Sequence, residues 1–494
     1  MKDYKMWIGG NWVDAVSGKT YLSTNPATGE QIGKVPLGDR EDARLAIQAA
    51  RKAFPEWKKV VQADRSRKVQ RLSDMLIEQA DALAAIETSD HGMPIKISSW
   101  MEIPVTSQTF EYSAQISRSL LGELLPCNPS EALTYVQREP LGVCSIITPW
   151  NWPLLMAAWK LAPALAAGNT CVIKPPSICS LGVLMLGELI EKLDLPKGTV
   201  NIITGPGGSV GQELASNPDV DRVAFTGSTE TGQNIMSCCS PTTKRVGLEL
   251  GGKNPFIVLA DANIDAAVEG AIWGTFFNSG QVCSSASRYY IHEKIYDVFV
   301  DNFVAATKKL VMGDPMDFNT GIGPLASEEQ LKKVEGYIKI GQQEGAHLIY
   351  QGKKPDKAPF NKGYFVPPTI FTNVTQNMRI AREEIFGPVA PIIKFSDKDD
   401  IVGLANDNNY GLSASVWTAN AFKAIKYANE LQAGFVWVND HAYNTAEMPW
   451  GGFKASGIGK DNSVHAFDEF TQLKTIHIDL SEQTRRIQYV LVNP

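Results

Sequence analysis

Short apolar runs alternate along the chain with longer stretches whose apolar positions recur every three to four residues, the period of a helix with one buried face. That alternation predicts an α/β protein with a largely parallel sheet. Three units carry it most clearly. Val143–Ile147 reads as a strand, Thr148-Pro-Trp-Asn-Trp-Pro as a turn, and residues 154–167 as a helix closed by Gly168. Residues 170–173 read as a second strand, followed by Lys174-Pro-Pro-Ser and a helix running through Leu189. Val223-Ala-Phe-Thr is a third, and Gly227-Ser228 follows it where a helix N-cap belongs. The first N–H groups of that helix are then free for an anion such as phosphate.

Between these units, residues 200–211 form a strand running into a glycine-rich loop that invites comparison with a dinucleotide fingerprint. The spacing departs from it, because Val210 occupies the place of the last glycine, and a plain tight turn explains the loop equally well. The most apolar stretch, residues 141–168, is interrupted by Pro149, Asn151, Pro153, Lys160 and Pro163, which suits a buried strand, turn and helix and not a membrane span. Residues 351–362 read as a surface loop. The tail, 481–494, ends in Tyr489-Val-Leu-Val, an apolar β-branched end expected to dock as a strand on a neighbour.

Composition narrows the classes. At 494 residues the chain exceeds the roughly 250–300 residues one core supports, so two or three domains are expected. Net charge is −6 with both signs interspersed, which disfavours nucleic-acid and membrane-surface partners. The start, Met-Lys-Asp-Tyr-Lys-Met-Trp, lacks the apolar run of a secretory signal, and seven irregularly spaced cysteines do not suggest a disulfide framework, so a cytoplasmic location is expected. His91, His292, His347, His441, His465 and His477 show no metal-ligand spacing, so no metal is expected. Cys144, Cys238 and Cys239 read as small, buried side chains.

Two segments carry the chemistry. Phe277-Asn-Ser-Gly-Gln-Val-Cys283-Ser-Ser-Ala-Ser-Arg places a thiol among small residues just after a Gly-Gln turn, where it is open to a reacting atom beside its own backbone N–H. A lone cysteine is more often inert core. Val246-Gly-Leu-Glu249-Leu-Gly-Gly sets a carboxylate between leucines at a strand end. A charge there must be paired or have its pKa raised by desolvation, as a general base near neutral pH requires.

Together these segments, 34 residues apart, closely resemble the aldehyde dehydrogenase superfamily. The resemblance runs from Ile8-Gly-Gly-Asn-Trp and Asn25-Pro-Ala-Thr-Gly through Glu383-Glu-Ile-Phe-Gly-Pro-Val to Pro449-Trp-Gly-Gly-Phe-Lys-Ala-Ser-Gly. It implies oxidation of an aldehyde to a carboxylic acid with NAD(P)+ through a Cys283 thiohemiacetal and thioester. Asn151 and the Cys283 N–H would hold the oxyanion, Glu249 would activate water for hydrolysis, and Lys160 belongs to the same catalytic set. Asp461 stands where many members carry a glutamate proposed for proton relay, and its shorter reach argues against that role.

For the cofactor, NADP or NAD, the resemblance implies Ile147, Thr148, Trp150, Lys174, Ser177, Gly207, Gly211, Phe225, Gly227, Ser228, Leu250, Glu384 and Phe386. Ser177 replaces a glutamate that in many NAD-specific relatives repels a 2′-phosphate, so dual or NADP-leaning use is expected. For the substrate it implies Trp152, Met156, Trp159, Val282, Ser284, Asn444 and Trp450. The three tryptophans fall where betaine-aldehyde and aminoaldehyde dehydrogenases hold a cationic head. Against that reading, Ile103-Pro104-Val105 lacks the acidic residues of aminoaldehyde members. The implied architecture is a Rossmann-like cofactor-binding domain (1–118 and 141–252), an α/β catalytic domain (253–450) and a small β oligomerisation element (119–140 and 471–494), giving a homodimer or homotetramer. Alternatives are a non-catalytic scaffold of the same fold, whose signature would be loss of Cys283 or Glu249, and an esterase.

Overall fold

In a computed structural model, which describes residues 1–120, 122–126 and 132–480, the anticipated βα units lie side by side in one sheet. Its five parallel strands stand in the order Arg245–Glu249, Arg222–Thr226, Val143–Ile147, Thr170–Lys174, Val200–Ile202. The chain therefore starts in the middle, builds outward to one side and then returns to build the other. This is the doubly wound order of a Rossmann-like sheet, with its reversal between Val143–Ile147 and Arg222–Thr226. Such a sheet is covered by helices on both faces, which is why four of these strands are buried along their whole length. Only Arg245–Glu249, near the edge, starts exposed and ends buried.

The helix between the first two strands, Pro153–Ala167, is buried on every side, so it carries no polar stripe apart from Lys160. Pro153 opens it at a position where a backbone N–H is not needed, and Gly168 ends it at φ +99°, a left-handed conformation suited to glycine. The glycine-rich loop forms a single π-type turn, Gly207–Gly211, leading into the short helix Gln212–Ser216.

A second sheet has the order His347–Gln351, Thr369–Thr372, Val389–Phe395, Ala286–His292, Asn254–Val258, Ser413–Trp417, Phe435–Val438, parallel except for its first pair. A third, antiparallel sheet joins Thr471–Asp479, Ala132–Pro140 and Glu123–Leu125. After Trp450 the chain returns to the first sheet. There Gly457–Ile458 pairs with Leu248 and Glu249, and helix His465–Phe470 packs on Pro153–Ala167. Residues 481–494, with the Tyr489-Val-Leu-Val end, lie outside the described residues. Among the described residues no helix is long and apolar enough to cross a membrane.

Candidate active site

The loop before Cys283 is shaped by three consecutive left-handed residues, Asn278 at φ +47°, Ser279 at +56° and Gly280 at +74°. Gly280 is required there, because a Cβ would lie 2.3 Å from the Gly387 carbonyl oxygen. Amides then fasten the loop to its surroundings. Asn278 Nδ2 donates to the Asn151 carbonyl at 2.9 Å, and Asn151 Nδ2 donates to the Gln281 carbonyl at 2.9 Å. Asn254 Nδ2 donates to the carbonyls of Cys283 and Ser285. Cys283 is half-buried, and its sulfur is within reach of its own N–H and that of Ser284. Burial, with Glu249 and Glu384 nearby, pushes the thiol up to about 12, while those two N–H groups favour the thiolate.

Glu249 is the last residue of its strand and is buried with Oε2 lacking a hydrogen-bond partner. Burial holds its carboxyl well above the usual carboxylate range. Asp461 adds to this, while Lys160 and Lys460 oppose it. Lys160, fully buried in helix Pro153–Ala167, places its ammonium 2.5 Å from Asp461 Oδ2. The aspartate thus reaches Lys160. Reciprocal backbone hydrogen bonds with Trp450 hold residue 461 in this position.

Two clefts of about 680 Å³ each meet at this point. The first lies at the carboxyl ends of the parallel strands, at the reversal of strand order, where doubly wound sheets bind ligands. Trp150, Asn151, Met156, Gly227, Ser228, Leu250, Cys283, Glu384 and Phe386 line it. Ser228 caps helix Thr229–Cys239 by accepting from the Thr231 N–H, and Thr226 Oγ1 is buried with no partner, so the walls present polar groups for a dinucleotide's phosphates. Trp150 and Phe386 meet edge to face at 5.3 Å, and Glu384 accepts from the Gly252 N–H at 2.8 Å. Beyond this cleft, Ile147 and Phe225 pair in register at the strand ends, and the Thr148 N–H donates to the Lys174 carbonyl. Lys174 Nζ donates to the Pro175 carbonyl, Ser177 Oγ to that of Gly205, and Gly211 flanks the Lys174 side chain. Gly207 has open space beside it.

The second cleft holds Trp152, Met156, Trp159, Val282, Cys283, Ser284, Asn444 and Trp450 together. The rings of Trp159 and Trp450 are 5.9 Å apart. Among the described residues its lining contains no Asp or Glu. Met156 and Cys283 belong to both clefts. Sequence reasoning missed Gln330 and Lys333, which face the first cleft from helix Glu328–Gln343, and Met101, Leu155, Phe277 and Ala442 in the second. Gln330 Nε2 donates to the Phe386 carbonyl at 2.7 Å, holding a residue whose φ is +61°. The three-residue spacing of Gln330 and Lys333 on one helix face is the only local signal, and many surface helices share it. Among the described residues no three His, Cys, Asp or Glu side chains gather as a metal site.

Comparison with known proteins agrees with this fold. Residues 12–476 match the family model described as the aldehyde dehydrogenase family. Human retinaldehyde dehydrogenase 3 is 42% identical over 487 residues, covering 98% of this chain and 94% of that protein. Among solved structures, the NAD+ complex of an aldehyde dehydrogenase from Bacillus cereus superposes with a TM-score of 0.94 at 38% identity, covering 97% of each chain. Betaine aldehyde dehydrogenase from Staphylococcus aureus, in complex with NAD+, gives a TM-score of 0.95 at 38% identity, covering 97% of this chain and 95% of that one.

Proposed function

The chain belongs to the aldehyde dehydrogenase family, an NAD(P)-dependent oxidoreductase of class EC 1.2.1, and from that premise we propose that Cys283 is its nucleophile and Glu249 its hydrolytic base. The observation that supports this reading is the position of Cys283 in the wall common to both clefts, where one sulfur faces an aldehyde on one side and a dinucleotide on the other.

The Cys283 thiol gives up its proton to water, the sulfur attacks the aldehyde carbon, and the carbonyl oxygen takes up the negative charge. Two donors stand ready for it: the Cys283 N–H, and the second N–H of the Asn151 amide, whose first goes to Gln281. When bound, NAD(P)+ supplies the acceptor for the hydride that leaves the tetrahedral carbon. The acyl group is then a thioester on Cys283. Glu249 takes a proton from water, the resulting hydroxide attacks the thioester carbon, and the thiolate departs as the carboxylic acid forms. Lys160 and Asp461 lie beside Glu249 as the next groups able to pass its proton on.

A second reading concerns the substrate. Trp152, Trp159 and Trp450 line the second cleft, and three indole faces suit a trimethylammonio or ω-amino aldehyde by cation–π attraction. The absence of a carboxylate from the described lining leaves neutral aromatic aldehydes on equal terms. The deciding experiment is a panel of cationic, aliphatic and aromatic aldehydes with NAD and with NADP, following reduced-nicotinamide absorbance. Absorbance should grow with aldehyde, and Cys283→Ala should abolish it. Ester hydrolysis without aldehyde-dependent absorbance would indicate an esterase instead, and turnover by the alanine variant would remove Cys283 from the mechanism.

A further inference from the structure

We propose that Glu102 is a positioning residue for the catalytic turn, capping from outside the helix that begins directly after Asn151 and Trp152. Helix Pro153–Ala167 has Trp152 at its N-cap, a side chain that makes no capping bond, and proline at its first position. The next two N–H groups, those of Leu154 and Leu155, are the ones an N-cap side chain normally satisfies. Both residues are buried away from water, so another segment has to supply the acceptor.

Glu102 supplies it. Its Oε1 accepts from the Leu155 N–H at 3.4 Å, and the carboxyl also bonds the Leu154 N–H. Glu102 is the last residue of a π-type turn, Ser98–Glu102, the kind of helix irregularity that often marks functional sites. That turn sets Met101 in the wall of the second cleft while Glu102 is fully buried. One short segment therefore shapes the aldehyde pocket and anchors the turn that carries Asn151. The two amide bonds described above fix Asn151 itself, and Glu102 fixes the residues that follow it.

The neighbours of this carboxyl are themselves acidic or neutral. Glu87 faces it from helix Ala80–His91 with Asp90 beside Glu87, and Cys179 lies near all three. Glu87 Oε1 and Glu102 Oε2 both lack partners. Burial raises Glu102 to about 8, so near neutral pH it serves as an uncharged acceptor. An amide oxygen is the isosteric replacement for such a group.

This inference rests on Asn151 acting as an oxyanion donor, and the test is built so that the two can fail separately. Glu102→Ala, Glu102→Gln and Glu102→Asp are made in the unmodified chain and in Asn151→Ala, and kcat, KM and melting temperature are measured for each. Glu102→Ala should lower kcat on the order of 10-fold with KM nearly unchanged, as a small displacement of a catalytic group does. Glu102→Gln should restore kcat to within about twofold, since it keeps the acceptor. In the Asn151→Ala background Glu102→Ala should cost nothing further, because the group it positions is gone. If the alanine variant does not fold, Glu102→Asp, one methylene short of the helix, should show the same kcat loss. Full kcat in the alanine or aspartate variant, a glutamine variant as impaired as alanine, or additive losses in the cycle would each overturn the proposal. An Asn151→Ala enzyme with full kcat would instead sink the oxyanion assignment.

Discussion

Burial keeps a proton on the Glu249 carboxyl to a pH well above that at which a solvated glutamate ionises, and a general base works only once that proton is lost. Its contribution to thioester hydrolysis should therefore grow as pH rises through that elevated range and disappear as pH falls below it. Glu249→Gln should still acylate, giving a stopped-flow burst of about one equivalent of reduced nicotinamide. A steady rate some 10²–10⁴-fold lower should follow, no longer governed by this titration. A missing burst would place Glu249 in the acylation step. Ser177 permits a second prediction at this scale. Its hydroxyl bonds the Gly205 carbonyl, three residues along from the Lys174 ammonium. Ser177→Glu should disfavour a 2′-phosphate and shift the kcat/KM ratio about tenfold or more toward NAD, as 1.4 kcal/mol of repulsion would. An unchanged ratio would mean the 2′ position lies elsewhere. Cys283 and Glu249 were legible in the sequence because their surroundings are contiguous segments. The contact of Asp461 with Lys160 was not, because it joins residues far apart in the chain.

Elements were the most legible level. The strand Val143–Ile147 has the bounds read from its sequence, and Thr170–Lys174 and Arg222–Thr226 differ by one residue, because strands buried on both faces are unbroken apolar runs between turn residues. Helix Pro153–Ala167 likewise begins one residue earlier than expected, at the proline. Its N-terminal anchorage was not legible, since the acceptor comes from Glu102, far back in the chain. That anchorage has a pH consequence. The folded-state pKa of Glu102, about 8, lies above its ordinary 4.5. Stability from this group is thus fully present below about 4.5 and lost as pH climbs through about 8. Glu102→Gln cannot ionise, so its melting temperature should exceed that of the unmodified protein by roughly 2–4 °C near pH 9, with no such advantage near pH 4.5. Calorimetry at the two pH values checks this, and an equal difference at both would exclude the titration.

For the whole molecule, the two large sheets and the small sheet of Thr471–Asp479 are assembled from segments distant along the chain. The small antiparallel sheet projects Leu124, Leu133 and Ile478 from one face into solvent. Three strands with an uncovered apolar face need a partner surface. The unmodified chain should sediment as a dimer or tetramer at micromolar concentration, and Ile478→Asp should shift it toward monomer. A monomeric unmodified chain would contradict this. Domain boundaries belong to this scale as well. The return of residues 451–470 to the first sheet was not readable, because Gly457–Ile458 is too short to announce itself as a strand and is held by pairing with Leu248 and Glu249.

Sequence alone determined the α/β alternation, the glycine and proline punctuation, the likeness to aldehyde dehydrogenases and the two residues proposed for the chemistry. These are signals carried by periodicity and by runs of adjacent residues, and they survive without knowledge of the packing. Tertiary structure decided that Cys283 stands between two clefts, that Gln330 and Lys333 face the first of them, that Lys160 meets Asp461, and that Glu102 closes a helix it does not belong to. Desolvation and the meeting of groups distant along the chain are set by how whole layers pack, and no local stretch of residues encodes that.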